Sequence, residues 1–221
     1  ISLMNGFVNW VSLQEVFLFK DIGISFLMVL ALYTLIFTGV LFLMKKNIWR
    51  LGYFLSGLLC LQLVCLFEDK NVNSTADFIV FHKSRVAITG IRRGRKLEIQ
   101  ASLDSVKLVA ISLLQSYALG AGIRTIKKTS FKNYINFNSQ DILIVDSFGI
   151  YQLHGLKRPI VILQYAPKIN LERLIKTLKP SLIIADGSNY KRVVHRWKAT
   201  AEKYAIPFHD TGQKGAFMLQ P

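Results

Sequence analysis

The stretch ISFLMVLALYTLIFTGVLFLM, residues 24–44, runs 21 residues without a charge. A helix needs about 20 apolar residues to cross the hydrocarbon core of a bilayer, where its backbone polar groups must be satisfied within the segment. The run therefore predicts a transmembrane helix. A second apolar run, LGYFLSGLLCLQLVCLF, covers residues 51–67 and is ended by Glu68, Asp69 and Lys70. KKNIWR between the two runs leaves room only for a tight basic turn. A transmembrane helical hairpin is expected over residues 24–70. Lys45, Lys46 and Arg50 put its turn on the cytoplasmic side by the positive-inside rule. Residues 71–221 then lie on the extracytoplasmic side of the plasma (inner) membrane. A signal peptide is not expected, because the first long apolar run starts too late and is too long.

Residues 1–23 read as an interfacial or end-of-helix segment. Phe7, Trp10 and Val11 fall on one face, which fits an interfacial helix with Trp10 at headgroup depth. The tail of a preceding membrane helix fits equally. The chain begins at Ile1 rather than Met, so a longer protein is expected upstream. Cys60 and Cys65 sit inside the second apolar run, with neither disulfide nor metal spacing, and read as buried small apolar residues.

Charge divides the chain at the same place. Residues 1–70 hold five Lys/Arg and four Asp/Glu, whereas residues 71–221 hold 23 and nine, a net of +14 out of +15. The pattern also changes there. ADFIVFH (76–82), SRVAITG (84–90) and 96–101 read as strands of antiparallel hairpins. Residues 106–119 fit either a helix or a buried strand. YINF and DILIVD bracket another hairpin turn. Strands and helices then alternate: PIVILQY, a helix over 169–179, PSLIIAD, a helix from NYKRVVHRWKATAEKY, then IPFHD and GAFML. Ile169, Leu171, Leu174, Ile175 and Leu178 share one helix face, and Pro180 ends that helix. Val193, Val194, Trp197, Ala201 and Tyr204 form the stripe of the next. The fold class is a membrane helical hairpin followed by an α/β soluble domain with mixed sheets, residues 71–221.

The order of a membrane hairpin, LIVDSFG, VILQYAPKINLERLIKTLKPSLIIADGSNY and IPFHDTGQKGAFML resembles the C-terminal part of the ComEC family. These are competence-related channel proteins that pass single-stranded DNA across the inner membrane. The resemblance covers essentially the whole chain. It implies further membrane helices and another extracytoplasmic domain upstream of Ile1. It also implies a metallo-β-lactamase-like soluble domain, layered αββα. In that fold a strand ending in an acidic turn precedes a strand that leads into a His-x-His-x-Asp-His loop. LIVDSFG matches the first element, with Asp146 at the acidic position. The loop after VILQ reads YAPKIN: it has no histidine and no Asp, and Lys168 stands where a cation would sit. A dinuclear metal centre needs several such ligands, so no metal and no cofactor is expected. Enzymatic activity is accordingly not the leading expectation for this degenerate site.

The four histidines, His82, His154, His195 and His209, form no His-x-His pair. Asp146, Asp186, His209 and Asp210 all fall at expected strand ends. If those strands converge they line one cleft, which is the catalytic candidate. The competing reading is that they terminate strands and cap helices, with Ser188 as the cap of the second helix. Neither a Gly-x-Ser-x-Gly elbow nor a phosphate-binding P-loop is present. Three basic clusters are candidates for nucleic-acid binding: Arg92, Arg93, Arg95 and Lys96; Arg124, Lys127, Lys128 and Lys132, near Phe131 and Tyr134; and Lys191, Arg192, Arg196 and Lys198. Such groups hold phosphate backbones through counterion release, and aromatics beside them stack bases. The leading expectation is a domain that binds or guides single-stranded DNA. An unconventional hydrolase around Asp146, Asp186 and His209 is the second, and a lipid-contacting structural domain the third. Expected partners are single-stranded DNA, the bilayer and the upstream channel, with self-association left open.

Overall fold

The structure is a computed structural model that describes residues 25–101, 106–130, 133–153 and 155–220. The segment 1–23, Phe131, Lys132 and His154 lie outside the described residues. The chain divides into two compact units: Ile1–Asp69 with Leu119–Gly122, and Lys70–Ala118 with Ile123–Pro221.

In the first unit, helix α1 spans Phe26–Met44 and α2 spans Ile48–Ser74. Both are long and apolar enough to cross a membrane. α2 runs past Glu68–Lys70, where the sequence pattern ended the apolar run. Ser25 caps α1 by accepting from the Met28 N–H at 3.1 Å, and its hydroxyl donates to Glu68 at the same end of the hairpin. At the turn, Arg50 Nη1 donates to the Leu41 carbonyl at 2.9 Å. The helices approach closely at small residues. A Cβ on Gly57 would lie 3.1 Å from Thr38 Oγ1, and one on Gly39 3.5 Å from the Phe54 ring. Small residues at such contacts let membrane helices pack by dispersion where lipid removes the hydrophobic drive. Cys60 differs from expectation: it is exposed on the helix surface, and Cys65 is half-buried.

The second unit is built on two five-stranded sheets. The first has the order β10-β1-β2-β3-β4, from β1 (Ala76–Lys83), β2 (Val86–Arg93), β3 (Lys96–Ala101), β4 (Thr125–Lys128) and β10 (Phe217–Leu219). The second has the order β5-β6-β7-β8-β9, from β5 (Tyr134–Phe137), β6 (Gln140–Val145), β7 (Ile160–Leu163), β8 (Leu182–Ala185) and β9 (Phe208–Asp210). β6 to β9 are parallel, and β5 is antiparallel to β6. Residues 106–119 resolve as a helix, α3 (Val106–Ala121), which carries the chain from β3 to the parallel strand β4. β4 was not legible in advance: all four of its residues are exposed and it lacks an alternating apolar face.

The period-2 alternation of side chains sorts the strands into layers. Phe78, Val80 and Ile91 of the first sheet meet Ile142, Ile144, Ile160, Ile162 and Ile184 of the second. Ile79, Phe81, Ile88, Leu97 and Ile99 point the other way and pack with Leu114 of α3. Leu143, Val145, Val161, Leu163, Ile183 and Ala185 pack under α4 (Leu171–Leu178) and α5 (Lys191–Lys203). The layers are therefore helix, sheet, sheet, helices. Leu171, Leu174, Ile175 and Leu178 of α4 and Val194, Trp197 and Ala201 of α5 are buried. These are the faces the periodicity predicted. Asn170 caps α4 by accepting from Arg173 N–H at 3.1 Å, and Lys179 ends it at φ 46° just before Pro180. A short helix α6 (Thr211–Lys214) then returns the chain to the first sheet, where β10 pairs with β1.

Candidate functional site: a cleft at the parallel strand ends

Parallel strands in register bring their carboxyl ends to one level, where ligands of α/β sheets commonly bind. Val145, Leu163 and Ala185 are aligned neighbours, with Asp210 opposite Ala185. The residues just beyond them are Asp146, Gln164 and Asp186. The ladder runs on, with Gln164 N–H donating to the Val145 carbonyl at 2.9 Å.

Asp186 organises this edge. Its Oδ1 accepts from Ser188 N–H (3.0 Å), Ser188 Oγ (2.5 Å) and Asn189 Nδ2 (3.0 Å). Its Oδ2 is buried and meets no hydrogen-bond partner of good geometry among the described residues. Burial pushes this carboxyl up to about 7, against the opposing pull of hydrogen bonds from Ser188 and Gln164. A carboxyl stripped of water resists ionisation because its charged form loses most by burial. Ser188 and Asn189 also reach across to the loop after β7. Tyr165 N–H donates to Ser188 Oγ at 2.7 Å and Ala166 N–H to Asn189 Oδ1 at 2.8 Å. Tyr165 and Ala166 sit at φ 58° and 47°, a left-handed pair held by those two side chains. Ser188 is thus a clamp on the QYAPKIN loop and not the cap of α5. The residue at the cap is Tyr190, whose side chain makes no capping hydrogen bond.

A cleft of about 660 Å³ opens beside Asp186. One wall is the β1–β2 turn, with His82, Ser84 and Arg85. The other is α5, where Lys191, His195 and Lys198 follow at helical spacing. Asp210 and Gly212 close one end. The His82 ring Nδ1 lies 3.1 Å from Thr211 Oγ1, and Asp210 accepts from Gly212 N–H at 2.8 Å. Three permanent cations and two imidazoles thus face one buried carboxyl and one capping carboxylate. Such a set can hold an anionic group.

Of the four strand-end candidates, Asp186 and Asp210 line the cleft. Asp146 accepts from Phe148 N–H (3.0 Å) and Asn133 Nδ2 (3.3 Å) instead. His209 turns to β10, with Nε2 3.1 Å from the Gly215 carbonyl and its ring edge-on to Phe217. Among the described residues no group of three or more His, Cys, Asp or Glu side chains could hold a metal ion.

The basic clusters are redistributed. Arg92 is buried, with Nη1 3.1 Å from Asp77 Oδ2 and Nε donating to the Gly94 carbonyl. Its expected role as a nucleic-acid contact is corrected by this geometry, because a buried, paired guanidinium cannot meet a phosphate. Arg93 and Lys96 are exposed neighbours across the β2–β3 turn. The parallel pairing of β3 with β4 sets Lys96 beside Thr125 and brings Arg124, Lys127 and Lys128 to the same sheet edge. The Arg95 carbonyl anchors that pairing by accepting from Arg124 N–H at 2.9 Å. Two clusters separate in sequence therefore form one basic edge. In the third, Lys191 and Lys198 line the cleft, while Arg192 and Arg196 are exposed on α5. Arg85, His82 and His195 had no motif to announce them, because only the meeting of the two sheets assembles them.

A family model described as the ComEC C-terminal domain matches residues 78–221. No curated protein and no solved structure matches the chain.

Proposed function

This chain belongs to the ComEC C-terminal domain family of competence-channel proteins, and from that premise we propose that its cleft binds and guides single-stranded DNA on the outer side of the inner membrane. The observation that carries this reading is the convergence of Arg85, Lys191 and Lys198 on one cleft. Phosphate groups are held by such cations without sequence preference. The layering of helix, sheet, sheet and helices supports a metallo-β-lactamase-like scaffold. QYAPKIN stands in it where the metal loop would be, and its Tyr165 and Ala166 are engaged by Ser188 and Asn189. The domain thus works by binding rather than by metal-dependent cleavage. In this reading the two apolar helices hold it at the bilayer.

The test is equilibrium binding of a fluorescent deoxythymidine oligomer by the full chain in detergent micelles, followed across salt concentration. Affinity that falls steeply with salt is expected. Affinity flat in salt contradicts the reading. A hydrolase is the second reading, favoured by the buried, raised Asp186 carboxyl in the cleft. It requires cleavage of DNA that Asp186→Asn abolishes.

A further inference from the structure

The segments that follow the three adjacent strands β6, β7 and β8 each carry an exposed aromatic side chain. Phe148 follows β6 and is 81% exposed, Tyr165 follows β7 at 38%, and Tyr190 follows β8 at 71%. The strands that precede the three residues are neighbours in the sheet, in the order β6-β7-β8. Each is held from behind. Asp146 Oδ1 accepts from Phe148 N–H at 3.0 Å, next to Gly149 at φ 67°. Ser188 Oγ holds Tyr165 N–H at 2.7 Å. Tyr190 stands at the start of α5, whose buried face is fixed by Val194 and Trp197. Exposed apolar side chains that gather at one place on a surface mark interaction sites, whereas single ones need no explanation. Exposed cations alternate with them: Lys168 beyond Tyr165, and Lys191 next to Tyr190. The row also ends at the cleft, because Tyr190 and Lys191 both line it.

We propose that Phe148, Tyr165 and Tyr190 form a base-stacking row that leads single-stranded DNA into the cleft. Every base has a π-face, so stacking on aromatics grips a strand without reading its sequence, while interleaved cations follow the backbone. The proposal rests on the single-strand reading above and adds its contact surface. It also gives Asp146 and Ser188 a role: they position Phe148 and Tyr165.

The test uses the full chain in detergent micelles and two probes of equal length, a deoxythymidine oligomer and an abasic deoxyribose-phosphate oligomer. Phe148→Ala, Tyr165→Ala and Tyr190→Ala are each expected to weaken binding of the thymidine oligomer by about five-fold or more. Binding of the abasic oligomer is expected to stay unchanged, and Tyr190→Phe to bind as the parent does. Equal losses on both probes overturn the stacking row, since a general distortion of the cleft would produce them. Alanine variants that bind the thymidine oligomer as tightly as the parent also overturn the row while leaving the single-strand reading intact. A parent chain that binds neither probe overturns both.

Discussion

The Arg85 backbone N–H donates to the Gly187 carbonyl at 2.7 Å. Arg85 belongs to the β1–β2 turn of one sheet and Gly187 follows β8 of the other, so this bond ties the two sheets together at the lining of the cleft. Arg85 takes φ 63° to make it. The approach is so close that a Cβ on Gly187 would lie 2.2 Å from the Lys83 carbonyl oxygen. Backbone cannot swing aside as a flexible side chain can. Gly187→Ala should therefore force the sheets apart and cost about 3 kcal/mol or more, at the upper end of overpacking effects. Chemical denaturation of parent and variant checks this, and a loss under 1 kcal/mol would show that the contact yields easily.

Asp186 sets a pH dependence of stability. Its carboxyl titrates near 7 in the fold, raised by burial from an ordinary value of 3.8. A raised folded-state value means that protons bind the folded state more tightly. The folded state is least burdened below about pH 3.8, loses stability as pH rises, and carries the full penalty above about pH 7. The whole penalty is on the order of a few kcal/mol. Asp186→Asn keeps an acceptor for Ser188 and Asn189 but never ionises. Its melting temperature relative to the parent should rise between pH 5 and pH 8. A gap that stays constant over that range contradicts the buried-carboxyl account.

Arg92 should behave as a structural residue. Its partner Asp77 is buried still more deeply, and Asp77 Oδ1 has no hydrogen-bond partner among the described residues. Removing one member of a buried pair strands the other charge, at about 3–5 kcal/mol. Arg92→Ala should lower stability by that amount, measured by denaturation, while folded protein keeps its DNA affinity. Arg93→Ala, on the exposed strand end beside it, should leave stability within about 0.5 kcal/mol of the parent.

Lys191 and Lys198 should govern salt dependence. Each phosphate contact removed lowers the slope of log affinity against log salt by about 0.7 for single strands. Lys191→Gln with Lys198→Gln should flatten the slope by about 1.4. The basic edge of Arg93, Lys96, Lys127 and Lys128 offers the comparison: neutralising it should change the slope less. An equal or larger change there would move the DNA path to the sheet edge.

Much of this architecture can be read from residue order. The 21 uncharged residues at 24–44 announce a membrane helix because a bilayer tolerates few alternatives. The faces of α4 and α5 follow from apolar spacing that packing then uses. Arg92 was not legible: the sequence groups it with Arg93, Arg95 and Lys96, and its burial rests on Asp77, 15 residues away on the neighbouring strand. Ser188 was not legible as a clamp, because its partner Tyr165 lies 23 residues away in the loop after another strand. The cleft was least legible. Its walls come from a turn of one sheet and a helix behind the other, and no local pattern records that they meet.

Photo-crosslinking of a 4-thiothymidine oligomer to the full chain, with adducts mapped by mass spectrometry, locates the bound strand on the protein surface. Adducts on the β1–β2 turn around Arg85 and on the segment from Tyr190 to Lys198 are predicted, since these line the cleft. Adducts confined to Arg93, Lys96, Lys127 and Lys128 would contradict the cleft reading.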